Sequence, residues 1–555
     1  MRIVIIGSVA AGTSVAAKAR RNTEEAEIVV YDQGKDISYS VCGIPYQMGG
    51  EVESIDSLTP RNAEWFKKRY EVDIFTEHKV TKINHEQKTL EIKDLASGET
   101  KEDHYDVLVL ATGASPFTPP PFNQNQYDNV FQVRNIQDAQ DFAAFSTKQP
   151  KKALIIGAGF IGLEMTEQLV HKGLEVTVVQ LEDQVMPPMD ADMTFRVEEH
   201  MREKGVHLIL NDTVKSIEGE SSIERVTTTN GVTIETDIVI LSAGIRPNTE
   251  LAKEIGVEIG ATRAIAVNKK MQTNLPDIYA VGDVAESFSV ITGKPIYRPL
   301  GSTANKMGRI AGDVITGGNL EHRGVLGTGI FRIFDLHVGQ TGLTEKEAKA
   351  EGYEVEVLYN IKPDHAEYLG GKELTIKALA DKETSRILGA QVIGKGGVDK
   401  RIDVLATAIT FGAKAEDLFH LDLAYAPPFA TTKDPVLYTG MALDNALHRN
   451  PLITPEEILR RQENGEKMQI IDTRSKKDHE KSHVKGAVHI GLYDLRSHLE
   501  NLDKNVPTVT YCNKGTTGNA AQNVLLNHGF NEVYNLSGGN KNYQSYVKML
   551  ESKSK

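Results

Sequence analysis

Short apolar runs alternate with glycine-rich turns and mixed polar stretches along most of the chain. RIVII at 2–6 and KALII at 152–156 are five-residue runs that end at a glycine. They are too short for buried helices and read as strands covered on both faces. After each comes a turn, then a helix of small or helix-favouring residues, then a second run: EIVVY at 27–31 in the first case, EVTVV at 175–179 in the second. The pattern predicts two strand–turn–helix–strand units in an α/β chain. From Thr454 the register changes to shorter strands and helices, in IIDTRSKKDHEKSHVKGAVHIG (470–491), VTYCNKGTTGNAAQNVLLNHGF (509–530) and VYNLSGGNKNY (533–543).

The turns give the two units their chemistry. Between the first strand and helix stand Gly7, Val9, Ala10 and Gly12, and the second strand delivers Asp32; the second copy carries Gly157, Gly159 and Gly162. A G-x-G-x-x-G turn between strand and helix lets a pyrophosphate approach the backbone at a helix N-terminus, and an acid ending the next strand accepts from a ribose hydroxyl. The first copy is imperfect, with Val9 where the middle glycine usually sits. The second is complete, but its strand ends in Gln180, with Glu182 two residues on, so NADH and NADPH are both admissible there.

Composition narrows the field. At roughly 150 residues per domain, 555 residues imply three or four domains, and 40% hydrophobic with 25% charged residues is ordinary for a globular protein. A formal charge of −13 argues against nucleic-acid or membrane-surface binding, so any anionic ligand must meet a local basic cluster. Two cysteines, Cys42 and Cys512, fit a reducing, cytoplasmic setting. The N-terminal apolar run is not expected to be a secretory signal, because its arginines mostly follow it, and no stretch approaches the ~18 apolar residues of a membrane helix.

Two dinucleotide units, together with DVLVLATGASP (106–116) and TNLPDIYAVGDVAE (273–286), resemble the flavoprotein disulfide reductases of the pyridine nucleotide-disulfide oxidoreductase family. The resemblance implies an FAD domain at 1–112 and 243–325, with Thr112 and Gly113 at its link to an NAD(P)H domain at 113–242. Gly282 and Asp283 would meet the flavin's ribityl chain. Residues 326–446 resemble that family's α+β dimerisation domain, and GKGGVDKRIDVLATAI (394–409) with LDLAYAPPF (421–429) is close to its coenzyme A disulfide reductase branch. After a linker at 447–454, residues 455–555 resemble an α/β rhodanese domain: Asp472 and Arg474 end a strand, His483, Gly486 and Ala487 follow, and Cys512 sits in a loop. His479-Glu480-Lys481-Ser482-His483 matches a zinc-protease pattern, but a strand begins at once and leaves little helix to align the pair, so no metal is expected.

Cys42 in SYSVCGIPY lacks the partner cysteine that many of these reductases carry five residues on, where Gln47 stands. Its disulfide must therefore be to a small molecule, or it must cycle through a sulfenic acid. NADH peroxidases and oxidases of the single-cysteine type place a histidine in the first glycine loop, and none is present here. The coenzyme A disulfide reductases also lack it and form a mixed disulfide with coenzyme A. By that resemblance Ser14, Lys18, Arg21 and Ser38, and more weakly Lys433, would contact coenzyme A, although Val41 stands where a polar contact occurs in the branch. Tyr368 and Tyr425 would be presented to the sulfur by the partner subunit of a homodimer. The rhodanese loop departs from many members: Thr516, Thr517 and Gly518 replace a frequent Arg-Ser pair, leaving Lys514 as its only cation. The implied function is FAD-dependent NAD(P)H reduction of coenzyme A disulfide or persulfide, with Cys512 handling sulfane sulfur. The alternatives are an NADH oxidase or peroxidase with an accessory rhodanese, and a redox sensor without turnover.

Overall fold

The computed structural model describes residues 1–554. They divide into two compact units, Met1–Leu181 with Gly205–Gly327, and Glu182–Lys204 with the chain from Thr328 onward.

In the first unit, β1 (Arg2–Ile6), α1 (Ala11–Asn22) and β2 (Glu27–Tyr31) form the predicted N-terminal element. β1 is central in a parallel sheet of order Ile278–Ala280, Val107–Leu110, β1, β2, Val72–Phe75. Ile3, Val4 and Ile5 are fully buried, each worth about 2 kcal/mol relative to exposure. Arg20 closes the end of α1 by donating to the carbonyls of Thr23, Glu24, Ala26, Tyr70 and Glu71, so this arginine is structural. A second parallel sheet has the order His207–Ile209, β4 (Glu175–Val179), β3 (Lys152–Ile156), Ile238–Leu241, Val130–Phe131, with α2 (Phe160–His171) after β3. Each sheet thus ends its first strand at a glycine turn facing a helix N-terminus.

The second unit combines a five-stranded antiparallel sheet with a parallel one. In the antiparallel sheet β5 (Val355–Pro363) is the edge strand and pairs with β6 (Glu373–Asp381), Lys362 opposite Leu374 and Pro363 opposite Glu373. The parallel sheet has the order Leu452–Ile453, Val533–Leu536, β7 (Thr508–Tyr511), Gln469–Asp472, Val488–His489, with α3 (Thr516–Asn527) and α4 (Gly539–Lys553) packed with it. Leu452–Ile453 is a strand within the expected linker; two residues are too few to show periodicity. The segment is stitched down, since the Pro451 carbonyl accepts from Gln522 and Asn535 and buried Asn450 donates to Gln522 and Asn523.

The helix Ala191–Glu203, between β4 and the return strand in sequence, belongs to the second unit. It is held there by buried Lys377, whose ammonium lies 2.8–3.1 Å from Asp190, Asp192 and Glu345. These carboxylates satisfy a charge that would otherwise be costly to bury.

Candidate active site

The two glycine turns differ in the way the nucleotide motif requires. Gly157 has φ +100°, and a Cβ there would meet the Ser242 carbonyl oxygen at 2.5 Å; a Cβ at Gly162 would meet the Gly157 oxygen at 2.1 Å. A Cβ at Gly159 would meet nothing within 4 Å, which leaves its backbone open to an approaching group. One glycine therefore serves the turn, one the helix–strand approach, and one leaves its backbone open, as the nucleotide motif requires. In the first copy Gly7 has φ +107° and lies against the Ala111 carbonyl, and Gly12 against that of Gly7, while half-buried Val9 takes the middle place. Asp32 accepts from the Ser8 amide at 2.7 Å and hydroxyl at 2.6 Å, and from the Gly34 amide at 2.7 Å. Gln180 repeats the first contact without charge, its Oε1 accepting from the Ala158 amide at 2.7 Å. The donor sets and the open turn fit two dinucleotides.

Two other segments lie against the first of these turns. Thr112 Oγ1 donates to the Asn248 carbonyl, and the Asn248 side chain donates back to the Thr112 carbonyl; the Gly113 carbonyl accepts from the Asn248 amide. Gly282 has φ +78°, and a Cβ there would press on Ala11, at the start of α1. Asp283, one residue on, is 3.1 Å from the guanidinium of Arg134.

Cys42 lies in a single turn, Val41–Gly43, that runs into the short helix Ile44–Gly49. The residue is exposed. Its sulfur is nonetheless crowded enough that desolvation, then the carboxylates of Glu164 and Asp283, raise its pKa, against a lowering pull from Arg134. The chain alone thus disfavours thiolate at Cys42. Tyr46 Oη donates to Glu164 Oε1 at 3.2 Å, tying the cysteine helix to α2. Sequence reasoning missed Arg134, Tyr46 and Glu164: Tyr46 ends SYSVCGIPY and Glu164 follows Gly162 by two residues, but no spacing links either of them, or Arg134, to Cys42.

Ser14, Lys18 and Arg21 are spaced along α1 as expected, and each has a protein partner. Ser14 donates to Asn305 at 2.6 Å, Lys18 is 2.9 Å from both Asp313 and Asn22, and Arg21 donates to Tyr70 Oη at 2.8 Å while lying over its ring. Tyr70 belongs to an arginine–aromatic cluster: Arg61 and Arg69 lie over Trp65 at 5.0 and 5.4 Å, and Trp65 packs edge-on against Tyr70. The chain's one tryptophan among basic residues in RNAEWFKKRY was the available cue. Ser38 has φ +49°, a strained conformation for a residue with a Cβ, and donates its amide to the Ser8 carbonyl.

In the second unit, Tyr368 and Tyr425 lie on neighbouring loops that are 80% and 52% exposed at these positions. The loops are joined by the Ala366 amide donating to the Pro427 carbonyl. Behind them fully buried Arg401 donates to the Asp364 carbonyl at 2.6 Å and to Asp434 at 2.7 Å. Lys433 immediately precedes Asp434 and lies beside Tyr438, 5.8 Å from its ring centroid.

Cys512 is buried at the end of β7, and its Sγ accepts from the Gly515 amide at 3.2 Å, where α3 begins. Asp472 underpins this strand end. Burial pushes its pKa up, but Arg474 in two-pronged contact, the Tyr511 hydroxyl and His479 together hold it below the usual carboxylate range. His479 is therefore engaged with Asp472, and the helix Lys476–Lys481 stops before His483, whose ring stacks on that of His479 at 4.4 Å.

Two parallel nucleotide sheets, an antiparallel sheet bearing exposed tyrosines, and a cysteine loop on a further α/β sheet define a modular oxidoreductase. The chain belongs to the pyridine nucleotide-disulphide oxidoreductase family: the sequence profile of that family matches residues 1–305, that of its dimerisation domain 330–435, and that of a rhodanese-like domain 454–546. FAD and NAD(P)H are its cofactors, as the two nucleotide motifs imply. The chain is 39% identical over 447 residues to the NAD(P)H sulfur oxidoreductase (CoA-dependent) of Pyrococcus furiosus, covering 80% of this chain and 99% of that protein. Among solved structures, reduced CoADR-RHD of Bacillus anthracis aligns with a TM-score of 0.95 at 38% identity, over 100% of this chain and 98% of that one. A NAD-dependent persulfide reductase from A. fulgidus aligns at 0.88 and 36% identity, over 98% and 100%. Among the described residues no helix is long and apolar enough to cross a membrane.

Proposed function

We propose that this protein is a homodimeric, cytoplasmic NAD(P)H:coenzyme A disulfide and persulfide reductase whose rhodanese domain handles sulfane sulfur at Cys512. The carrying observation is that Cys42 is a lone thiol in its unit, with Gln47 in the place of a second cysteine, so the second sulfur must come from a substrate. The fused rhodanese-like domain and the sulfur-directed names of the similar proteins support the same reading.

The Cys42 thiolate attacks a sulfur of coenzyme A disulfide, forming a Cys42–coenzyme A disulfide and expelling one coenzyme A thiolate; with the persulfide, hydrosulfide is expelled instead. FAD and NAD(P)H, when bound, supply the electron pair that frees coenzyme A and restores Cys42. FAD would be held by Gly7, Val9, Ala10, Gly12 and Asp32, with Thr112, Gly113, Gly282 and Asp283; NAD(P)H by Gly157, Gly159 and Gly162. Ser14, Lys18, Arg21 and Ser38 would receive coenzyme A, with Lys433 at its far side, and the Arg61–Trp65–Arg69–Tyr70 cluster offers stacking and charge to its nucleotide end. The exposed Tyr368 and Tyr425 would donate to the departing thiolate across the dimer interface.

The test is NADH oxidation by the purified holoenzyme with coenzyme A disulfide, coenzyme A persulfide and oxygen in separate arms. Stoichiometric thiol or sulfide release in the first two arms, abolished in Cys42→Ser, is the expected result. NADH loss matched by oxygen uptake with no thiol released would overturn it in favour of an oxidase, and no turnover in any arm would favour a sensor.

A further inference from the structure

The rhodanese loop CNKGTTG contains one cation, Lys514, and that cation is committed elsewhere. Glu373, at the start of β6, binds Lys514 with one carboxylate oxygen and Lys541 with the other. The neighbouring edge strand β5 supplies a different cation. Lys362 Nζ donates to Thr516 Oγ1, in the loop itself, at 3.0 Å, and lies over the Tyr438 ring at 4.0 Å. Lys362, Tyr438, Gly515 and Thr516 line a cavity of about 150 Å³ between the antiparallel sheet and the cysteine loop. Cys512 Sγ accepts from the amide of Gly515, one of the lining residues, at 3.2 Å.

We infer that Lys362, from the dimerisation domain, is the cation of the rhodanese site, and that with Thr516 it holds the outer, anionic sulfur of a persulfide built on Cys512. The inference rests on the reading of Cys512 as a sulfur acceptor. In the step it serves, the Cys512 thiolate attacks the outer sulfur of a hydropersulfide donor; a new S–S bond forms, the donor's S–S bond breaks, and the electron pair and negative charge leave with the donor thiolate. No net oxidation occurs, and the persulfide left on Cys512 ionises readily beside a cation. The electrostatics of the free chain agree. Burial pushes the pKa of Lys362 down, Cys512 pulls it up, and Lys514 and Lys433 push it further down, so an anionic sulfur added to Cys512 would favour the charged lysine.

The experiment uses full-length holoenzyme and follows persulfide formation on Cys512 by mass spectrometry, with N-acetylcysteine hydropersulfide in one arm and thiosulfate in the other. Lys362→Met keeps the aliphatic stem over Tyr438 and removes the charge; it is expected to slow loading from the hydropersulfide about tenfold or more. Lys362→Arg restores the charge and is expected to recover most of the rate. Reduction of coenzyme A disulfide, centred on Cys42, stays unchanged in both variants and shows that they are folded. Equal loading in unaltered protein and Lys362→Met overturns the inference, as does an equal loss in Lys362→Arg or a loss confined to thiosulfate, which would put the cation on the donor's sulfonate. If unaltered Cys512 accepts sulfur from neither donor, the reading of Cys512 falls and the inference with it.

Discussion

The two cysteines occupy opposite electrostatic settings. Cys42 is exposed as a residue, on a one-turn element, with desolvation of its sulfur and then Glu164 and Asp283 raising its pKa and Arg134 opposing them. Cys512 is buried, receives a backbone N–H from the start of a twelve-residue helix, and has lysines around its loop. The difference teaches that one chain can set one thiol among carboxylates and the other against a helix start with lysines nearby, so the two proposed sulfur chemistries would begin from different surroundings. A milder form of the contrast separates the nucleotide turns, where charged Asp32 and neutral Gln180 make the same contact with the amide that follows the first glycine.

The sharpest test removes one thiol at a time. Cys42→Ser is expected to lower NADH-dependent reduction of coenzyme A disulfide by about a thousandfold or more, while sulfur loading of Cys512 is untouched; loss of both would erase the distinction. Next, Arg134→Met withdraws the cation that favours the Cys42 thiolate. Because the thiol pKa is already raised, it rises further, the reactive anion becomes scarcer at neutral pH, and the alkylation profile of Cys42 moves to higher pH. The expected result is a reaction roughly three- to tenfold slower at pH 7, with Cys512 alkylation as the internal control. A profile that stays in place would show that Arg134 serves only Asp283. The smallest effect is expected at Gln180→Asp, which makes the second nucleotide turn resemble the first. A carboxylate there repels the 2′-phosphate of NADPH, so the ratio of kcat/KM values should move toward NADH by roughly fivefold, about 1 kcal/mol.

Much of this was legible in the chain because it depends on local pattern. Gly157, Gly159 and Gly162 announce their turn through backbone geometry that few other residues tolerate, and RIVII and KALII announce strands through burial on both faces. The lone status of Cys42 follows from Gln47 alone. What escaped was assembled from distant segments. Arg134 meets Asp283 across 149 positions and Lys362 meets Thr516 across 154, and no spacing rule links them. Lys514 was the loop's visible cation, yet Glu373, from another domain, engages it. A side chain's type can be read locally, but whether its charge is already engaged depends on the tertiary fold.

The tie between the parallel sheet and the antiparallel sheet has a logistical consequence. Asn450 and Pro451 anchor the connecting segment, Glu373 grips two lysines of the cysteine domain, Ser537 accepts from the Tyr359 amide, and Arg196 donates to Asn542. A domain fastened at so many points is not a swinging arm. On the proposed reading of Cys512, sulfur would reach or leave that thiol on a small carrier rather than by movement of the cysteine domain away from the antiparallel sheet.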